Sequence, residues 1–113
     1  MTDKKFELIG ITIEHEGRTL YRIKALRDFA DVKAGDLGGY LETESNLSHE
    51  DNAWVSDNAW VSGDACVSGA ARVYGNAWVF GAARVSDDAR VYGNARVFGN
   101  AWVSDDARVY GGG

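Results

Sequence analysis

The residues able to do chemistry are few, and they recur in columns. Arg72, Arg90 and Arg108 stand 18 residues apart, and Tyr74, Tyr92 and Tyr110 follow each of them by two positions. Guanidinium groups beside phenol rings can hold an anion or a phosphate group. Asp88 and Asp106 precede the last two arginines, so the simpler reading is a surface ladder that compensates its own charge. Asp87-Asp88 and Asp105-Asp106 could take a divalent cation weakly, but solvated corner aspartates are the plainer reading. No metal site and no cofactor are expected. Cys66 has no nearby histidine and is no candidate nucleophile. His15 and His49 are the two histidines and hence the candidate general bases. Gly38-Gly39 lacks both the Lys-Ser/Thr and the helix start of a phosphate loop.

These columns belong to a hexapeptide. From Asn52-Ala-Trp-Val-Ser-Asp57 to Asp106-Ala-Arg-Val-Tyr-Gly111 one six-residue frame is repeated ten times without insertion. Its second and fourth residues are always Ala and Val; its third is Trp, Arg or Cys, and its fifth Ser, Tyr or Phe. In an extended strand Ala and Val share one side and the residue between them takes the other. Five of those intervening residues are arginines (72, 84, 90, 96 and 108), which makes their side the solvent side and the Ala/Val side the core. Gly or Asp, followed by Asn, Asp or Ala, supplies a corner at nearly every unit. Short strands alternating with corners predict a parallel β-helix.

The outer positions repeat with period 18, not six: Tyr74, Tyr92 and Tyr110; Phe80 and Phe98; Ser68, Ser86 and Ser104; Asn58, Asn76 and Asn94. A rung of three sides explains this, because like residues then stack at the strand spacing of about 4.8 Å. One side carries Trp60, Trp78 and Arg96 with Phe80 and Phe98, read here as an exposed apolar strip and an interface. A second carries the Arg/Tyr column, and the third Cys66, Arg84, Trp102 and the serines. The repeat contains no Thr, so the flat threonine array of an ice-binding β-helix is missing.

Ahead of the repeat, Phe6–Ile13 and Thr19–Leu26 read as a β-hairpin turning at His15–Arg18, with a bulge at Gly10 and with Tyr21, Ile23 and Ala25 alternating against Arg22 and Lys24. Gly35, Gly38 and Gly39 read as tight turns. Leu41 and Leu47, six apart, suggest two degenerate hexapeptides before an irregular step at His49–Asp51. The predicted fold is all-β: residues 1–39 form an N-terminal cap over a three-sided parallel β-helix spanning 40–113, with degenerate repeats at 40–51 and regular ones at 52–111. A cap is needed because a terminal rung exposes unpaired strand edges.

The net charge of −5 over 113 residues, with no basic face, argues against nucleic acid. A single cysteine allows no internal disulfide and fits a reducing compartment. No apolar run reaches the roughly 20 residues of a membrane span, and Met1–Lys5 lacks the apolar core of a signal peptide, so cytoplasmic residence without membrane association is expected.

Ala-X-Val at six-residue spacing resembles the left-handed parallel β-helix of hexapeptide-repeat proteins. More closely, residues 20–111 resemble a group of phage, prophage and YdcK-type bacterial proteins. The likeness rests on Arg22-Ile-Lys-Ala-Leu-Arg27, Ala34-Gly-Asp-Leu-Gly-Gly39, Glu44-Ser-Asn-Leu-Ser48 and the Asn-Ala-Trp-Val units. Left-handedness is implied by that resemblance alone. Members of the group continue into a C-terminal closing segment, so an end at Gly111–Gly113 implies truncation or completion by another subunit. Many hexapeptide enzymes transfer acyl groups with a histidine base beside a loop that interrupts the coils. Here neither histidine lies in the regular units and no loop breaks them, which makes an acyltransferase the third reading. The first is a non-enzymatic, oligomerising structural or protein-interaction module of a bacterial host cell's cytoplasm. The second is a phage-encoded inhibitor of a host protein, or a binder of a small anionic signal.

Overall fold

The computed structural model describes residues 4–15, 17–49 and 52–111. Glu16 of the predicted turn, Glu50 and Asp51 of the predicted irregular step, and the chain's last two glycines lie outside them.

Alternation and corners produce the expected prism. Each regular unit contributes one short strand, and every third strand pairs in parallel, which gives three sheets. One holds Trp54–Val55, Arg72–Val73, Arg90–Gly93 and Arg108–Gly111; another holds Cys66–Val67, Arg84–Val85 and Trp102–Val103. The third holds Trp60–Val61, Trp78–Val79 and Arg96–Val97, continued by three strands from the N-terminal part. Between the regular units the register is 18 residues: Val61 pairs with Val79, Val73 with Val91, and Val67 with Val85. The fold is a three-sided parallel β-helix.

The Ala and Val side chains fill the interior from Ala53 to Val97. Ala101 and Ala107 are exposed, because no further described rung lies over them. The corner residue is held in the left-handed region at every regular turn, by glycine or by Asp57, Asp87 and Asp105, with φ near +58° to +59° for the aspartates. Aspartate tolerates that conformation and adds a bond. Asp57 Oδ2 accepts from the Gly75 N–H at 3.1 Å, and Asp87 Oδ2 from the Asp105 N–H at 3.2 Å, one rung further on.

The N-terminal part is built as a three-stranded antiparallel extension of one sheet: β1 (Phe6–His15), β2 (Arg18–Ala25) and β3 (Leu37–Leu41). The register of β1 on β2 shifts between Leu8 and Thr12, placing a bulge around Gly10. β3 pairs with β2 on one edge and, in parallel, with Trp60–Val61 on the other, so it crosses the predicted boundary at residue 39 and is the first strand of its side. Gly38 and Gly39 are therefore strand residues, not the turns expected from sequence; Gly35, with φ +95°, is a turn. A Cβ on Gly38 would sit 2.5 Å from the Val55 carbonyl oxygen, and one on Gly39 would strike the Ala59 carbonyl. Close backbone approach explains the glycine pair.

Leu41 and Leu47 are buried and pair with Val61 and Val67, as degenerate repeats should. Their spacing to those partners is 20 residues instead of 18, so the irregular step adds two residues to the first rung. Asn46, fully buried, holds that rung in place. Its Oδ1 accepts from the Glu42 and Thr43 N–H groups at 3.1 and 2.8 Å, and its Nδ2 donates to the Gly63 and Ala65 carbonyls at 3.1 and 2.8 Å. Lys5, also fully buried, donates from Nζ to the Ala53 carbonyl at the sheet edge that no earlier rung covers. Its ammonium lies 4.8 Å from the centre of the Phe29 ring. No described helix is long and apolar enough to cross a membrane.

Candidate functional site

Parallel pairing puts the outer residues into register-locked columns. Trp60, Trp78 and Arg96 are successive partners. The two indoles lie 4.6 Å apart between ring centres, and the Arg96 guanidinium sits 4.2 Å over Trp78, a cation–π contact. Two residues along the same strands run Ser62, Phe80 and Phe98; the phenyl rings are 5.4 Å apart and 12° from parallel. The predicted grouping of Trp60, Trp78, Phe80, Arg96 and Phe98 on one side is what the structure brings together.

The expectation that this side is an exposed strip is corrected. The β1–β2 hairpin folds over its upper part as an arm. The His15 ring lies 4.7 Å from Trp60 and 4.8 Å from Trp78, and Leu20 forms a buried cluster with Tyr40 and Trp60. Trp60 is only 6% exposed and cannot meet a partner; Trp78 and Phe80 are half-covered. Phe98, at 59%, and Arg96 remain open to solvent.

The reason is that the hairpin has two useful sides. Ile23 and Ala25 enter the core as predicted, but Leu20 and Arg22, on the alternate side, pack outward against the ladder instead of facing water. Arg22 lies 5.2 Å from the Tyr40 ring and donates to its hydroxyl at 3.0 Å. Tyr21, predicted to share the buried side, is exposed. The arm is latched by Arg18, whose NH1 donates to both Glu42 carboxylate oxygens at 2.8 and 3.0 Å. Glu42 Oε1 in turn accepts from the Gly63 N–H at 2.7 Å.

Between arm and ladder lies a cavity of about 480 Å³, the size of pockets that take small ligands. His15, Arg18 and Leu20 line it from the arm, and Ser62, Trp78 and Phe80 from the ladder; Arg96 and Asp64 also reach it.

The Arg/Tyr side is ordered but less of a site. Tyr74, Tyr92 and Tyr110 stack at 5.2 and 5.4 Å, and Arg72, Arg90 and Arg108 are in register. No close ion pair joins Asp88 or Asp106 to these arginines among the described residues. The corner aspartates bond to backbone, and the acid that does pair comes from the cap. Asp31 meets Arg72 at 2.8 Å, and the hydrogen bond and charge of Arg72 hold its carboxyl below the ordinary carboxylate value. Arg72 is thus partly neutralised as an anion ligand, while Arg90 and Arg108 have no such partner among the described residues. The third side carries Cys66, Arg84 and Trp102 in register, with Trp102 exposed.

His49, a candidate general base in sequence, is packed against the N-terminal strand. Its ring stacks on Phe6 at 4.1 Å, Nδ1 accepts from the Lys5 N–H at 3.1 Å, and Nε2 lies 3.2 Å from Glu44 Oε1. It clamps β1 to the first rung. Glu44 also receives Lys4 Nζ at 3.0 Å; that bond, opposed by partial burial and aided by His49, holds its carboxyl below the ordinary value. Sequence reasoning missed Lys5, Asn46 and Ser62. Only Ser62 left a signal, as the member that breaks an otherwise aromatic column.

The YdcK beta solenoid repeat model matches residues 71–87, 83–94 and 89–105. Over residues 71–105 the chain is similar to β-solenoid repeats of the YdcK type. The YdcK-type stretches contain Arg72, Tyr74, Trp78, Phe80, Arg90, Tyr92, Arg96 and Phe98. The arm, Asn46, Trp60 and Ser62 lie outside them. No curated protein matches the chain.

Proposed function

We propose that this protein is a non-enzymatic β-solenoid, of phage or prophage origin and acting in the bacterial cytoplasm, that works as a structural and protein-interaction module and self-associates through the open part of its aromatic side. The observation that carries the reading is the lower end of the ladder. Phe98 presents a largely exposed ring on top of Phe80, and Arg96, seated on Trp78, has no carboxylate partner among the described residues. Exposed Ile13 at the end of β1 extends the apolar patch beside Trp78 and Arg96. Aromatic and Arg residues in such a patch are what protein interfaces concentrate. A second copy meeting this patch about a two-fold axis would bury Phe98 against its equivalent.

Sedimentation equilibrium tests this. The wild type should show a mass that rises with concentration to a dimer in the micromolar range, and Phe98→Asp should be a folded monomer. A wild type that stays monomeric at high micromolar concentration overturns the proposal. The second reading, a host-factor inhibitor or a binder of a small anionic signal, rests on Arg90 and Arg108 beside stacked tyrosines. It predicts a saturable host partner that Arg90→Glu releases.

A further inference from the structure

The Phe98–Phe80 stack stops one rung short. The next position in that column is Ser62, too small to continue the stack; Ser62 and Phe80 both line the cavity beneath the arm, and the Trp60 ring leans to within 6.1 Å of Phe80. Ser62 is only 3% exposed and is one of the residues that line this cavity. The same cavity offers Arg18 N–H groups that Glu42 does not use, together with the Arg96 guanidinium, which sits on Trp78 and has no carboxylate partner among the described residues. Asp64 is the opposing carboxylate in the lining, so the charge balance suits a single anionic group rather than a polyanion.

We propose that this cavity is a binding site for a small planar aromatic carboxylate. The ring fills the missing place in the ladder, stacked on Phe80, and the carboxylate accepts hydrogen bonds from the Ser62 hydroxyl and an arginine of the lining. The volume admits one fused two-ring system. The arm excludes water from one side of the ring, which strengthens those bonds. Arg96 belongs to both this cavity and the proposed self-association patch, but Phe98 does not line the cavity, so a substitution there acts on assembly alone.

Isothermal titration calorimetry of the full chain with 2-naphthoate tests the proposal, with cyclohexanecarboxylate and 2-naphthamide as controls lacking the π-face and the charge. Saturable binding of 2-naphthoate is expected, weaker for each control by about tenfold, the size of one stacking or charge-assisted contact. Ser62→Phe supplies the missing ring from the protein itself and should abolish binding while circular dichroism stays native. Should that variant misfold, Phe80→Leu, which keeps an apolar side chain but removes the stacking face, should lose about tenfold. Phe98→Asp separates the two readings, losing assembly and keeping naphthoate. No saturable heat at millimolar 2-naphthoate overturns the proposal, as does equal binding of cyclohexanecarboxylate. Unchanged affinity in a folded Ser62→Phe or Phe80→Leu overturns it equally.

Discussion

Asn46→Ala removes a buried side chain that bonds four backbone groups across the step from the first rung to the second. Two N–H groups, of Glu42 and Thr43, lose their acceptor, and two carbonyls, of Gly63 and Ala65, lose their donor. A hydrogen bond contributes about 1 kcal/mol net, and a buried group left without one costs about 1–3 kcal/mol. Water can reach Glu42 and Thr43, which are not fully buried, so two of the four losses are partly offset. The expected destabilisation is therefore roughly 3–5 kcal/mol, a melting-temperature drop on the order of 10 °C or more for a chain of this size. Urea unfolding followed by tryptophan fluorescence reads it directly, since Trp54 and Trp60 sit beside the affected rung. Asn46→Asp, though the same size, should fare no better, because it keeps the acceptor but turns an oxygen toward the two carbonyls. A loss below about 1 kcal/mol in Asn46→Ala would refute the account of how the first rung is held.

Three further substitutions probe the corners and the clamp. At Gly69, φ is +66° and a Cβ would lie 2.7 Å from the Asp87 nitrogen, whereas Gly99 has φ +67° and nothing within 4 Å. Gly69→Ala should thus cost more than Gly99→Ala, which bears only the left-handed penalty of about 1–2 kcal/mol; equal melting temperatures would contradict the close rung contact. Glu44, whose carboxyl is held down by Lys4, stabilises the fold above its ordinary value of 4.5, and that contribution vanishes as pH falls through the lower folded value. Glu44→Gln should therefore melt below the wild type at neutral pH, with the gap closing at pH values under 4.5. A gap that is constant across that range would remove the clamp's electrostatic part.

How legible this protein was in its sequence depended on the range of the interaction. The 18-residue register could be read because each column repeats its own residue, as Tyr74, Tyr92 and Tyr110 do, and the strand pairs follow it without a slip. Corner chemistry was legible too, because Gly and Asp are among the few residues that readily take the left-handed position. What could not be read was where the hairpin lies once formed. Nothing local distinguishes Leu20 facing water from Leu20 against Trp60, since the contact joins residues 40 apart and depends on how β3 enters the sheet. The same holds for Gly38 and Gly39, whose spacing suggests a turn and whose real constraint is the Val55 and Ala59 backbone. Lys5 carried no signal, because its role exists only where a terminal rung leaves a carbonyl unpaired.

The central claim, that the exposed end of the aromatic ladder is a self-association surface, is tested most directly by amide hydrogen exchange at two protein concentrations. The account predicts that raising the concentration slows exchange around Arg96–Phe98 and at the end of β1, while the Arg/Tyr and Cys66 sides are unchanged. Exchange that is independent of concentration, or protection that appears on another side instead, would contradict it.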